Sequence, residues 1–189
     1  ITTNGGNILI NNKIDKTWQS KIGKKLKDSI NHDQGKAAAI KIIGMEKIKS
    51  IKSADDIYFY AVLNKEIDSD KLYELNEYFS PRGISIKSVR KKLYFIPYGI
   101  DKYEACAYLI DIIGETNYYC AGDSIMDESM LSNSIMGFIP ASGGLIEDKR
   151  KICSQNNIKI SHNKGIESSE YILESLIEKF NSLKLENMF

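Results

Sequence analysis

Over residues 93–160, short apolar runs alternate with helical patterns, and this alternation restricts the fold more than any other feature. Leu93-Tyr94-Phe95-Ile96, Tyr118-Tyr119-Cys120-Ala121, Met136–Ile139 and Ile158-Lys159-Ile160 read as strands. The first two have no polar alternation, as expected of strands covered on both faces. Glu104, Ala105, Ala107, Tyr108, Leu109, Ile112 and Ile113 form a helical pattern that stops at Gly114, a natural C-cap. A short helix around Asp127–Leu131, a helical Glu147–Cys153 and a closing amphipathic helix over Ser168–Leu183 complete the series. The pattern predicts an α/β, doubly wound parallel (Rossmann-like) sheet, with ligands at the carboxyl ends of its strands. Pro97–Lys102 and Gly122–Asp127 are both placed there.

Residues of about 13–92 have a different character. Trp18, Ile22, Leu26 and Ile30 recur at four-residue spacing from Asp15, and Gln34–Ile43 is a second helical stretch. Asp56–Leu63 is aromatic and β-branched, hence a strand. Ser69 reads as the cap of a helix reaching Phe79, broken by Ser80-Pro81-Arg82-Gly83. Ile84 and Ile86 alternate with Ser85 and Lys87, as in a half-exposed antiparallel strand. An α+β module with a one-sided sheet follows. Ahead of it, Ile1–Ile10 reads as strand, Asn-Gly turn, strand.

Charge divides the chain in the same way. Residues 13–92 hold 18 Lys/Arg against 11 Asp/Glu, a net +7, and residues 93–189 hold 8 against 14, a net −6. The basic part would attract anionic, phosphorylated ligands, although a solvated lysine-rich surface explains it as simply. Aromatics do not interleave with the basic residues in a nucleic-acid module, so no nucleic-acid partner is expected. No apolar stretch is long enough to span a bilayer and no signal-peptide pattern opens the chain, so no membrane is expected. Cys106, Cys120 and Cys153 are scattered, with no metal spacing, and read as reduced core thiols of a cytoplasmic protein. Trp18 reads as core, and His32 and His162 as solvent-facing loop residues. Arg82 and Arg90 could reach a substrate, though a surface role is the simpler reading.

The chemistry concentrates in Gly122-Asp123-Ser124-Ile125-Met126-Asp127. Two carboxylates four residues apart, between a strand and a helix, offer hard oxygen ligands. Such a site suits Mg²⁺, which takes a few carboxylates plus waters and phosphate oxygens. Lys102 follows the preceding strand. With neighbouring parallel strands ~4.8 Å apart, Lys102 and Asp123 could converge on one phosphoryl group.

Gly122-Asp123-Ser124-x-x-Asp127-x-x-Met130, preceded by Pro97-x-Gly99-x-x-Lys102, resembles the third and fourth motifs of haloacid dehalogenase (HAD) superfamily phosphatases. More narrowly it resembles the type-2-capped branch, subfamily IIB, with its sucrose-phosphatase and Cof-like members. Thr3-Asn4-Gly5-Gly6 resembles the strand before that branch's cap, and Ser161–Ile166 the loop before its last helix. The resemblance implies a HAD core of residues 1–12 and 91–189 with an inserted α+β cap of residues 13–90. It implies an Mg²⁺-dependent phosphatase acting through an aspartyl-phosphate on a phosphorylated small molecule, a sugar phosphate by the branch's habit. Lys102 would hold the transferring phosphoryl group. Asp123 would bind the metal, and Asp127 would complete or orient its shell. Asn4, Gly5 and Ser124 would lie at the substrate, and the cap would select the leaving group.

One departure is large. The branch's Asp-x-Asp-Gly nucleophile motif precedes the Asn-Gly strand, and here no Asp-x-Asp is followed by Gly; Asp68-Ser69-Asp70 is followed by Lys71. The resemblance therefore implies a missing N-terminal segment of about 70–80 residues, typical of the outstanding part of such a domain, or a separate chain that supplies it. A smaller departure is Ala141-Ser142-Gly143-Gly144, where many relatives have Asn-Ala. Two rival readings remain: a non-catalytic binding or scaffold module of the same fold, and an esterase with Ser124 as nucleophile. The second needs a histidine oriented by a carboxylate, whereas His162 is preceded by Lys159 at the corresponding spacing.

Overall fold

The computed structural model describes residues 1–186. The chain divides into two compact units, Ile1–Tyr108 and Leu109–Phe189. No helix among the described residues is long and apolar enough to cross a membrane.

The first unit opens with a tight turn at Thr3–Gly5, closed by a single antiparallel bridge between Thr2 and Asn7. The two strands expected around Asn4-Gly5 are thus reduced to one bridge. The hairpin forms further on, between β1 (Leu9–Ile10) and β2 (Lys13–Ile14). Asn11 and Asn12 link them with φ of 50° and 60°. Positive φ at both central residues is what a two-residue hairpin turn demands, and Asn tolerates it.

Helix α1 (Lys16–Lys27) begins where Asp15 accepts the Trp18 backbone N–H at 2.6 Å. That bond, with help from the Tyr108 hydroxyl, holds the Asp15 carboxyl below its ordinary range. Helix α2 (His32–Ile43) is capped by Asn31, and α3 (Ser69–Phe79) by Asp68 rather than by Ser69. Between them run β3 (Ile48–Ala54) and β4 (Tyr58–Leu63); β5 (Ile84–Val89) and β6 (Lys92–Pro97) follow. Sequence reasoning overlooked β3, whose lysines and serines weaken its β signal.

These strands make one antiparallel sheet in the order β3-β4-β6-β5. Leu93–Ile96 therefore belongs to β6, a central strand of this sheet, and not to a parallel sheet as its apolar run implied. A strand with neighbours on both sides and a packed face can be as apolar as one in a parallel sheet. Phe59, Ala61, Leu63, Leu93 and Phe95 face Ala39, Ile43, Leu75 and Phe79 of α2 and α3. Phe59 and Phe95 stack at 4.5 Å, and Phe79 meets Phe95 at 4.9 Å.

Helix α4 (Lys102–Ile113) ends at Gly114, whose φ is 73°. In the second unit β7 (Tyr119–Ala121), β8 (Met136–Ile139) and β9 (Ile158–Ile160) form the expected parallel sheet, in that order. Helix α5 (Glu128–Ser132) lies between the first two strands. The helix expected over Glu147–Cys153 is instead a short α6 (Gly144–Glu147) and a 3₁₀ turn at Lys151–Ser154. Lys149, with φ of 50°, interrupts it. Helix α7 (Ile166–Glu186) closes the unit. Leu131, Ile139, Leu145 and Ile152 form a buried cluster beneath the loops.

Phe95 touches two aromatic rings and is wholly buried, so Phe95→Ala should cost about 3–5 kcal/mol of stability. Urea denaturation checks this. A loss under 1 kcal/mol, well below that range, would show that the aromatic stack does not hold the sheet.

Candidate active site

The loop after β7 is organised by Asp127. This carboxylate is 3% exposed. Its Oδ2 accepts the backbone N–H groups of Asp123 and Ser124, both at 3.1 Å, and the Ser124 hydroxyl at 3.0 Å. A buried carboxylate is tolerable only when donors of this kind surround it. Gly122 makes the fold-back possible. A Cβ there would overlap the Asp127 Cβ and lie 2.6 Å from its Cγ.

Asp123 has the opposite environment. Its side chain is exposed and makes no hydrogen bond or ion pair among the described residues. Its backbone is held from below, where its carbonyl accepts the Leu145 N–H at 3.0 Å. Gly143 lies so close that a Cβ would sit 3.2 Å from that of Asp123. The loops after β8 and β9 join the same rim: Ser161 Oγ accepts the Ala141 N–H at 2.9 Å and pairs with Ser168 Oγ at 2.7 Å. Gly122–Asp127, Ala141–Gly144 and the start of Ser161–Ile166 thus meet at the carboxyl ends of the three parallel strands.

The pair of carboxylates fits Mg²⁺ as part of a shell. Among the described residues no group of three or more His, Cys, Asp or Glu side chains could hold a metal alone. Magnesium commonly takes only one or two carboxylates, filling the rest with water and phosphate oxygens. Asp123 is the available ligand, because one Asp127 oxygen already serves three donors.

The other sequence-derived residues gather in the first unit. Gly5, with φ of 90°, packs against the start of α4, where a Cβ would overlap the Asp101 carbonyl and lie 3.1 Å from the Lys102 nitrogen. Asn4 adopts φ of 52°, and its Oδ1 is enclosed without a hydrogen-bond partner among the described residues. Trp18, 3% exposed, donates from Nε1 to the Gly5 carbonyl at 3.0 Å and meets Tyr108 at 5.0 Å. Asn4, Gly5 and Lys102 therefore form one group, and Asp123, Ser124 and Asp127 another. Lys102 opens α4 after β6, so a shared parallel sheet does not bring it beside Asp123.

The remaining residues have plain roles. The Ser124 hydroxyl donates to Asp127 and accepts from the Met126 N–H at 3.3 Å, and among the described residues it has no histidine partner of the kind the esterase reading needs. His162 is exposed against Tyr171, but His32 is not a free loop residue. It begins α2, half-buried, with its Nε2 enclosed and its ring edge on Phe59. Arg82 lies over the Tyr78 ring at 4.0 Å and donates to the Tyr78 carbonyl at 2.6 Å. The three cysteines are free and half-buried, and burial pushes the Cys106 and Cys153 thiols up, away from reactive thiolate.

A unit with a parallel sheet whose strand ends carry this acidic loop, together with an α+β module, gives a fold similar to that of solved HAD-type proteins. Among solved structures, sucrose-phosphatase from Synechocystis sp. PCC6803 matches 93% of this chain and 71% of its own, at a TM-score of 0.73 and 16% identity. SMU.1108c from Streptococcus mutans UA159 matches 94% and 75% respectively, at 0.62 and 14%. A HAD/Cof-like protein of Plasmodium vivax matches 65% and 42%, at 0.52 and 21%. No family model matches the sequence, and no curated protein does.

The two aspartates should separate by mutation. Asp127→Ala strands three donors and should cost about 2–4 kcal/mol, whereas exposed Asp123→Ala should stay within about 0.5 kcal/mol. Thermal denaturation of both variants checks this. Equal losses would contradict the clamp.

Proposed function

We propose that this chain forms the metal- and substrate-binding part of an Mg²⁺-dependent HAD-type phosphatase acting on a small phosphorylated metabolite, a sugar phosphate in particular. The observation that carries the reading is the loop after β7, where a buried Asp127 fixes an exposed Asp123 at the strand ends. The fold agrees, and a solved relative by fold is a phosphatase seen with sucrose and phosphate.

In this reading Asp123 holds the metal, which would offset charge on the phosphoryl group. Asp127 orients Asp123 by fixing its backbone. Lys102, at the start of α4, neutralises phosphoryl charge. Asn4 and Gly5 shape the adjoining substrate wall, and Ser124 lies at the site's edge. Residues 1–12 and 91–189 act as core, and residues 13–90 as the cap that selects the leaving group. The aspartyl nucleophile comes from outside these 189 residues, because Asp-x-Asp-Gly does not occur in them. That same absence favours one alternative, a binding module of this fold with no turnover.

Hydrolysis of p-nitrophenyl phosphate by the protein together with its nucleophile-bearing segment decides between them. Activity should require Mg²⁺, and Asp123→Asn or Lys102→Ala should each lower kcat/KM by about 10²-fold or more, the scale of losing one preorganised charge contact. Unchanged rates in both variants would remove the catalytic assignment. Absence of any turnover would favour the binding module.

A further inference from the structure

Arg150 and Glu128 form an ion pair in the second unit, with Nη2 of the arginine donating to Oε2 of the glutamate at 2.7 Å. Their side chains are 38% and 27% exposed. A pair this close to solvent is screened and adds little to global stability. Two observations show that the arginine is nevertheless held in place against a penalty. Its Nε is enclosed and has no hydrogen-bond partner among the described residues, which is unfavourable for a donor. The residue before it, Lys149, has φ of 50°, a left-handed conformation that glycine adopts freely and lysine does not.

That left-handed residue closes the end of α6. The Lys149 N–H returns to the Ile146 carbonyl at 3.0 Å, and the Arg150 N–H to the Leu145 carbonyl at 2.9 Å. This is a helix ending whose left-handed position is usually glycine. The turn is kept with lysine there, and it sets Arg150 beside Glu128.

Glu128 directly follows Asp127 and opens α5. Leu145, whose carbonyl receives the Arg150 N–H, donates its own N–H to the Asp123 carbonyl at 3.0 Å. The contacts therefore close a ring. It runs from Asp123 to Leu145, on to Arg150, across to Glu128, and along the chain to Asp127, whose Oδ2 accepts the Asp123 and Ser124 N–H groups. Leu145 and Ile152, on either side of Arg150 in sequence, are both buried, so the ring has a fixed base.

We infer that Arg150 is a positioning residue for Asp123: through Leu145 and Glu128 it holds the loop of residues 122–128 at both ends, and so fixes where the exposed Asp123 carboxylate meets a cation. Arg150 itself touches neither cation nor substrate. The inference rests on the reading of Asp123 as a metal ligand, and adds the group that orients it.

Position and charge predict opposite signs. Arg150→Ala removes a positive charge near the loop, which by Coulomb attraction alone would tighten cation binding. A positioning role predicts the reverse. The Kd of the 189-residue chain for Mn²⁺, followed by the broadening of its amide signals, should rise about tenfold, the scale of losing a group that orients a metal ligand. Arg150→Lys, which keeps the charge, should recover most of that loss. Amide hydrogen exchange gives a second readout that needs no metal. In Arg150→Ala the Ser124 and Leu145 amides should exchange about tenfold faster, the equivalent of one hydrogen bond to a charged group. The Gly137 and Ser161 amides, which bond across the parallel sheet, should keep their rates. If Arg150→Ala does not fold, Glu128→Gln, which keeps the side chain's size, decides by the same exchange. Unchanged exchange at Ser124 and Leu145, equal acceleration of all four amides, or tighter Mn²⁺ binding by Arg150→Ala would overturn the inference. Absence of Mn²⁺ binding by the unaltered chain, or equal binding by Asp123→Asn, would instead overturn the metal assignment, and the exchange rates would still decide the role of Arg150.

Discussion

The buried carboxylate of Asp127 is the constraint on which the candidate site rests. A charge out of water needs several donors at once, and beside the Ser124 hydroxyl they include the backbone N–H groups of Asp123 and Ser124. Satisfying them folds the loop back on itself, which only Gly122 permits. The Asp123 carbonyl then meets the Leu145 N–H, and the Leu145 side chain is anchored in the buried cluster with Leu131 and Ile139. Ser161 continues the chain of contacts to the loop after β8. One desolvation requirement is thereby transmitted to three strand ends, and the acidic side chain left outside is Asp123.

The first unit is held by different physics. Its sheet is fixed by aromatic packing on one face and by hairpin turns at its ends. Asp55 and Asp56, with φ of 48° and 54°, occupy the β3–β4 connection. Thr3 and Asn7 both donate to Asp55, tying the N-terminal turn to that connection. Gly6 is pressed against Ile57 at the same place. The turn that carries Asn4 and Gly5 is therefore set from two directions, by Asp55 and by the start of α4.

Much of this was legible in the sequence because the signals are local. The start of the helical pattern at Asp15, the Gly114 stop, the strands Met136–Ile139 and Ile158–Ile160, and the glycine-acid loop after β7 each depend on a few adjacent residues. What was not legible depends on partners distant in sequence. Strand β3, Ile-Lys-Ser-Ile-Lys-Ser-Ala, has no strong pattern and is extended because Tyr58–Leu63 offers it a partner. His32 reads as a polar loop residue until Phe59 is seen beside it. The Asn11-Asn12 turn did carry a local signal, the tolerance of Asn for positive φ, which the more familiar Asn4-Gly5 pair obscured.

Leu93–Ile96 shows the limit most clearly. Apolarity on both faces indicates a covered strand, not the direction of its neighbours. Here three of its four residues are buried, yet Tyr94 is half-buried, and Tyr60 stacks on it. Aromatic side chains satisfy an apolar count while remaining usable at a surface, because their rings cover one another and their hydroxyls remain polar. The antiparallel setting of this run also relocates Lys102. This lysine follows a strand of the antiparallel sheet, so the phosphate-handling role proposed for it rests on the Pro97-x-Gly99-x-x-Lys102 pattern and on its place at the start of α4, not on the spacing of adjacent parallel strands.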